Sequence, residues 1–185
     1  GQRGDLLEEG VDPLGGVPGN RVGEASALIN LGLIHGLLGE KQQALDHLYR
    51  ALQITREVND PRGAGYALLN ITRLYHELGE NEKALDFCSQ ARSSFQLGAD
   101  RNGGAMALYY LGAISVSMGA RQKALDFYNE ARSVWQAVGD SYNEAYSILD
   151  IGRLRDELGE KQKALDHYTQ ALALFQNFKN PRGEA

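Results

Sequence analysis

The triplet Ala-Leu-Asp stands at 44–46, 84–86, 124–126 and 164–166, with no residue gained or lost between copies. Gly39, Gly79, Gly119 and Gly159 keep the same forty-residue spacing, as do Asn20, Asp60, Asp100, Asp140 and Asn180. A period of this length marks a stacked-repeat architecture, because one short unit cannot bury its own apolar face and must lean on a copy of itself. No other feature of the chain restricts the fold as tightly.

Each unit reads as two helices. Asn20, Asp60, Asp100 and Asp140 are N-cap types, each able to accept a first-turn N–H for roughly 1 kcal/mol. Pro61 follows Asp60 at the first helical position, where its missing N–H is harmless. The first helix then carries Ala27, Leu28, Leu31, Ile34 and Leu38 in one unit and Ala67, Leu68, Ile71, Leu74 and Leu78 in the next. That spacing draws one apolar stripe on a 3.6-residue helix. The recurring glycine ends the helix as a left-handed C-cap. The second helix repeats Ala124, Leu125, Tyr128, Ala131 and Trp135 as Ala164, Leu165, Tyr168, Ala171 and Phe175. A short turn makes the two helices antiparallel neighbours.

The expected fold class is therefore all-α, a right-handed α-solenoid of helix-turn-helix units. The units span 20–59, 60–99, 100–139 and 140–179, with the start of a fifth at 180–185. Residues 1–19 lack the paired alanines and read as an irregular segment or a degenerate half-repeat.

These residues resemble the tetratricopeptide repeat (TPR), whose helix-turn-helix places a large residue, Leu-Gly, an aromatic, Ala, an aromatic and Ala in order. The third unit supplies Leu108, Leu111-Gly112, Ala124, Tyr128 and Ala131, and the fourth Ile148, Ile151-Gly152, Ala164, Tyr168 and Ala171. In the second unit, Thr72 replaces the glycine and Cys88 the aromatic. The forty-residue unit looks like the subclass found in LGN-type adaptors and bacterial peptide-responsive regulators.

The resemblance implies a concave groove, lined by the first helices, that holds an extended peptide or a partner helix. Turning 100° per residue away from the apolar stripe places Asn30, Leu33, Tyr66, Asn70, Arg73, Tyr109, Tyr110, Tyr146, Asp150 and Arg153 on that face, with Leu69 among them. Tyrosine and arginine are frequent hot-spot residues because they combine large contact area with a polar end. By resemblance, Asn30 and Asn70 match positions that bond a ligand backbone. Arg73 and Arg153 suit acidic ligand groups.

Two further readings compete with a plain interaction scaffold. One makes the array a ligand-responsive regulator of an attached effector; the other is a repeat-containing enzyme, for which His76 beside Glu77 is the thin candidate. A formal charge of −5 disfavours a nucleic-acid partner, which demands a basic surface. One cysteine, Cys88, excludes an internal disulfide. No metal-ligand spacing, phosphate loop or nucleophile motif appears, so no cofactor is expected. Neither a membrane span nor a secretory signal is expected, and a cytoplasmic location follows as the expectation. Leu172, Phe175 and Phe178 would normally pack on a further unit, so they are expected to pair with a second copy through the exposed end.

Overall fold

A computed structural model describes residues 20–179. Eight helices follow in chain order: α1 (Arg21–Leu37), α2 (Lys41–Glu57), α3 (Pro61–Glu77), α4 (Asn81–Leu97), α5 (Arg101–Ser117), α6 (Arg121–Val138), α7 (Ser141–Glu157) and α8 (Lys161–Lys179). No strand occurs among the described residues, and no described helix is long and apolar enough to cross a membrane. The expected fifth-unit opening at 180–185, the 1–19 segment and the Phe178 side chain lie outside what the structure describes.

Each helix packs on its successor, so the chain forms an α-solenoid. Asp60, Asp100 and Asp140 accept from the backbone N–H of Gly63, Gly103 and Asn143 at 2.8–3.1 Å, as N-caps should. Asn20 does not. Its backbone already sits in the helical region (φ −99°, ψ −13°), and its side chain makes no capping bond. The four recurring glycines turn the chain with φ of 75–81°. The same left-handed geometry recurs after the second helices, at Asn59 (φ 54°), Ala99 (φ 52°) and Gly139 (φ 75°).

The Leu-Gly glycines work by size. A Cβ on Gly112 would stand 2.6 Å from the Tyr128 ring, and one on Gly152 would stand 2.8 Å from Tyr168. The missing side chain is thus the seat of the second helix's aromatic. The second unit solves the same packing problem in reverse. Thr72 fills the space and Cys88 replaces the ring, both fully buried. Such volume-conserving exchanges are the ones a dense core tolerates. Cys88 donates its S–H to the Ala107 carbonyl at 3.2 Å, and burial pushes its thiol up to about 12.

The apolar stripe is buried where a neighbour exists and exposed where none does. Ala67, Leu68, Ile71 and Leu74 are all sealed, whereas Leu31 is 45% and Ile34 is 52% exposed, and Ala27 is exposed with them. No described helix precedes α1, so that face has nothing to lie on. Leu38 and Leu78, expected in the stripe, sit just past their helix ends and are exposed. At the other end Leu165 and Leu172 are exposed, but Phe175 is half-buried, its ring 5.2 Å from Tyr146. Phe175 thus has an aromatic partner on α7, while Leu172 beside it on the same helix is exposed.

Candidate functional site

The odd-numbered helices lie side by side along one surface. α1 meets α3, and α3 meets α5, while α5 and α7 scarcely touch. The residues expected on the groove face fall on these helices in order: Asn30 and Leu33 on α1, Tyr66, Asn70 and Arg73 on α3, Tyr109 and Tyr110 on α5, and Tyr146, Asp150 and Arg153 on α7. Leu69 was expected among them. At 4% exposure it packs into the core instead of facing solvent.

Several of these side chains engage one another, which helical spacing alone could not reveal. The Tyr66 hydroxyl donates to Asp100 Oδ2 at 3.1 Å, and Arg62 Nε donates to the same oxygen at 2.9 Å. The Tyr109 hydroxyl donates to Asp150 Oδ2, while Arg153 Nη1 holds the other carboxylate oxygen at 2.8 Å. Burial, reinforced by Asp150, drives the Tyr109 phenol well above its ordinary range. The Asn70 amide donates to the Tyr66 carbonyl on its own helix at 2.9 Å. One of its two amide N–H donors is thus spent before any ligand arrives, which leaves the second N–H and the carbonyl for the clamp expected at this position. Asn30 is exposed at the end of the row. His76 engages Ser117 at 2.8 Å, and Glu77 engages Arg73 at 2.9 Å, so the two candidate acid–base residues spend their polar atoms on separate neighbours.

Arg73 is the most unusual member. Its Nη1 donates to Glu77, but Nη2 is buried and finds no hydrogen-bond partner among the described residues. A Cβ on Gly36 of α1 would stand 2.9 Å from that nitrogen. On the other side Arg73 acts on Tyr110 of α5, holding its phenol down against the rise that burial imposes. The guanidinium therefore bridges three successive inner helices.

Between α5 and α7 a pocket of about 220 Å³ opens, lined by Met106, Tyr109, Tyr110, Trp135, Tyr142, Asn143 and Tyr146. Trp135 is 2% exposed and donates its indole N–H to Asn102 at 2.7 Å. Trp135, Tyr142 and Asn143 were not among the residues expected here. Trp135 reads as core, which it is, and also walls the pocket. The available signal was Asn143, which breaks the glycine that recurs at Gly63 and Gly103.

The Tetratricopeptide repeat family model matches residues 23–97, 63–137 and 104–177. The chain belongs to the TPR family. A search of curated protein sequences returns no match. Among solved structures, the TPR solenoid is similar to aspartyl phosphate phosphatase F from Bacillus subtilis, with a TM-score of 0.81 and 16% identity over 86% of this chain and 42% of that one. A Rap protein complexed with competence and sporulation factor matches with a TM-score of 0.80 and 15% identity, over 86% of this chain and 45% of that one. A signal-transduction ATPase with a tetratricopeptide repeat sensor from Pyrococcus horikoshii matches with a TM-score of 0.75 and 19% identity, over 88% and 25%. These likenesses concern the fold, and this chain spans less than half the length of each.

Proposed function

We propose that this TPR array is a non-enzymatic interaction module that binds a peptide or helical segment along its inner face. The observation that carries the reading is Arg73. A buried guanidinium N–H without an acceptor is a standing penalty of about 1–3 kcal/mol, or more for a charged group, and a ligand carboxylate or backbone carbonyl removes it by drawing the guanidinium outward. Its neighbour Tyr110, with Tyr66 and Tyr146 further along the odd-numbered helices, adds side chains of the kind that dominate interface energetics. A Rap protein of this fold is known in complex with competence and sporulation factor, which agrees with a ligand-binding role.

The test is selection of peptides from a display library against the whole chain, followed by the double variant Arg73→Ala/Tyr110→Ala. The expected result is loss of binding with unchanged helical content by circular dichroism. Retained binding would contradict the groove assignment.

A second reading keeps the same face but makes the array a sensor whose occupancy controls an effector. It is favoured by the repeat sensor named in the Pyrococcus horikoshii ATPase. It predicts that ligand changes the solenoid's end-to-end distance, measurable by resonance energy transfer between labels on α1 and α8.

A further inference from the structure

We propose that the pocket between α5 and α7 is a subsite for one cationic side chain of the ligand, an arginine or a methylated lysine, held against aromatic faces. The proposal rests on the groove reading above and names what the ligand must bring to this part of it.

The walls are suited to a cation. Tyr109 and Tyr110 meet at 82° with centroids 6.4 Å apart, and Tyr142 and Tyr146 meet at 63° with centroids 5.0 Å apart. Trp135 lies 5.8 Å from Tyr109. Rings of several orientations thus enclose one space, and the face of each carries the negative lobe of an aromatic quadrupole. The Tyr109 phenol donates to the Asp150 carboxylate, which enriches its ring in electron density and strengthens that attraction. At about 220 Å³ the pocket is smaller than the roughly 300–1,000 Å³ of whole-ligand sites, so it accepts a single side chain.

An anion fits poorly. The indole N–H on the wall is spent on Asn102, and one N–H of the Asn143 amide is spent on Asp140 at 2.8 Å. Asp140 and Asp150 supply the nearby negative charge, and Arg73 acts on the pocket from the far side of Tyr110. Arg153 covers one oxygen of Asp150, but its own side chain is 63% exposed and leads towards solvent. A neutral apolar side chain is the remaining rival, since it would gain burial without the charge.

Trp135 is the only tryptophan in the chain, so its fluorescence reports on this pocket directly. The whole chain is titrated with N-acetyl-trimethyllysine amide and with its neutral isostere, in which carbon replaces the ammonium nitrogen, at matched ionic strength. A saturable Trp135 response is expected for the cation, with the isostere weaker by about fivefold or more. Tyr146→Ala should abolish the response while circular dichroism shows the helices retained, and Tyr146→Phe should keep it. Equal binding of the two probes would overturn the cationic assignment, and silence of Trp135 to both would overturn the subsite. Display-selected peptides that bind in an Arg73- and Tyr110-dependent way while both probes stay silent would sink the subsite and leave the groove standing. Failure to obtain any binding peptide while the cation saturates would sink the groove reading, and with it the assignment of this pocket to a peptide's side chain.

Discussion

Where α3, α4 and α5 meet, Phe95 is fully buried between Gly65 and Gly103; forty residues on, where α5, α6 and α7 meet, Trp135 takes the ring's place, and Ala105 and Asn143 stand at the sequence positions of the two glycines. A Cβ on Gly65 would stand 2.6 Å from the Phe95 ring, and one on Gly103 would collide with it. The two glycines therefore give the ring its seat. Tyr66 then closes over it at 5.0 Å, pinned through its hydroxyl to Asp100. At the later junction the places of Arg62, Tyr66 and Asp100 are taken by Asn102, Met106 and Asp140. Met106 has no hydroxyl with which to reach Asp140, and Asn102 turns to the indole instead. On the side that Tyr66 covers, a closed junction becomes an open pocket through a handful of side chains; the opposite side of Phe95 borders a cavity of about 270 Å³ lined by Ala99, Asp100 and Leu108. In a solenoid the shared positions hold the stack, and the positions that differ decide what each junction can receive.

The comparison can be broken most forcefully by Gly103→Asn, which puts the later junction's residue into the earlier one. Overpacking against Phe95 should cost about 1–3 kcal/mol, read as a fall in the urea midpoint, while Asn143→Gly should change stability far less. Met106→Tyr works in the other direction. It should restore a hydroxyl within reach of Asp140, add about 0.5–1.5 kcal/mol and close the pocket to probes that alter Trp135 fluorescence. An increase in probe binding would show that the missing hydroxyl is not what leaves the pocket open.

The turns preceding the two junctions differ as well. Gly139 adopts φ 75° without strain, but Ala99 holds φ 52° with a side chain attached. Ala99→Gly should therefore stabilise the chain by roughly 0.5–1 kcal/mol, seen as a higher thermal midpoint; no gain would mean that unfolded-state entropy offsets the relief.

The smallest effect is expected in acid. Burial works against the Asp100 charge, but the Gly103 N–H, the Tyr66 hydroxyl and Arg62 outweigh it and hold the carboxyl below its ordinary 3.8. A depressed carboxyl contributes stability that is present above its unfolded value and lost as pH falls through its lower folded value. Tyr66→Phe should remove part of that contribution, so the gap in urea midpoint from the parent chain should narrow as pH falls below 3.8.

Much of this architecture was legible in the residues. The period, the paired helices and the aspartate caps follow from spacing, because they depend on backbone geometry common to every unit. What escaped depends on neighbours and rotamers. Ala27, Leu31 and Ile34 look like core but need a preceding helix to be core. Leu165 has the same problem at the other end, whereas Phe175 is rescued by Tyr146. The Tyr109–Asp150 bond joins residues 41 apart in sequence, and no pattern announces it. The pocket escaped because a buried tryptophan satisfies the core reading so well that its second role is hidden; only the loss of glycine at Asn143 hints at the opening.

The central claim is that ligand contacts concentrate on the inner face and are anchored at the α5–α7 junction. Amide chemical shifts, recorded on the whole chain with and without a display-selected peptide, test this most directly. The account predicts the largest changes around Tyr109, Tyr110, Asn143 and Tyr146, smaller ones around Arg73, and little change around Phe95 in the earlier junction. Changes clustered on the outer helices α4 and α6, with the inner row silent, would contradict it.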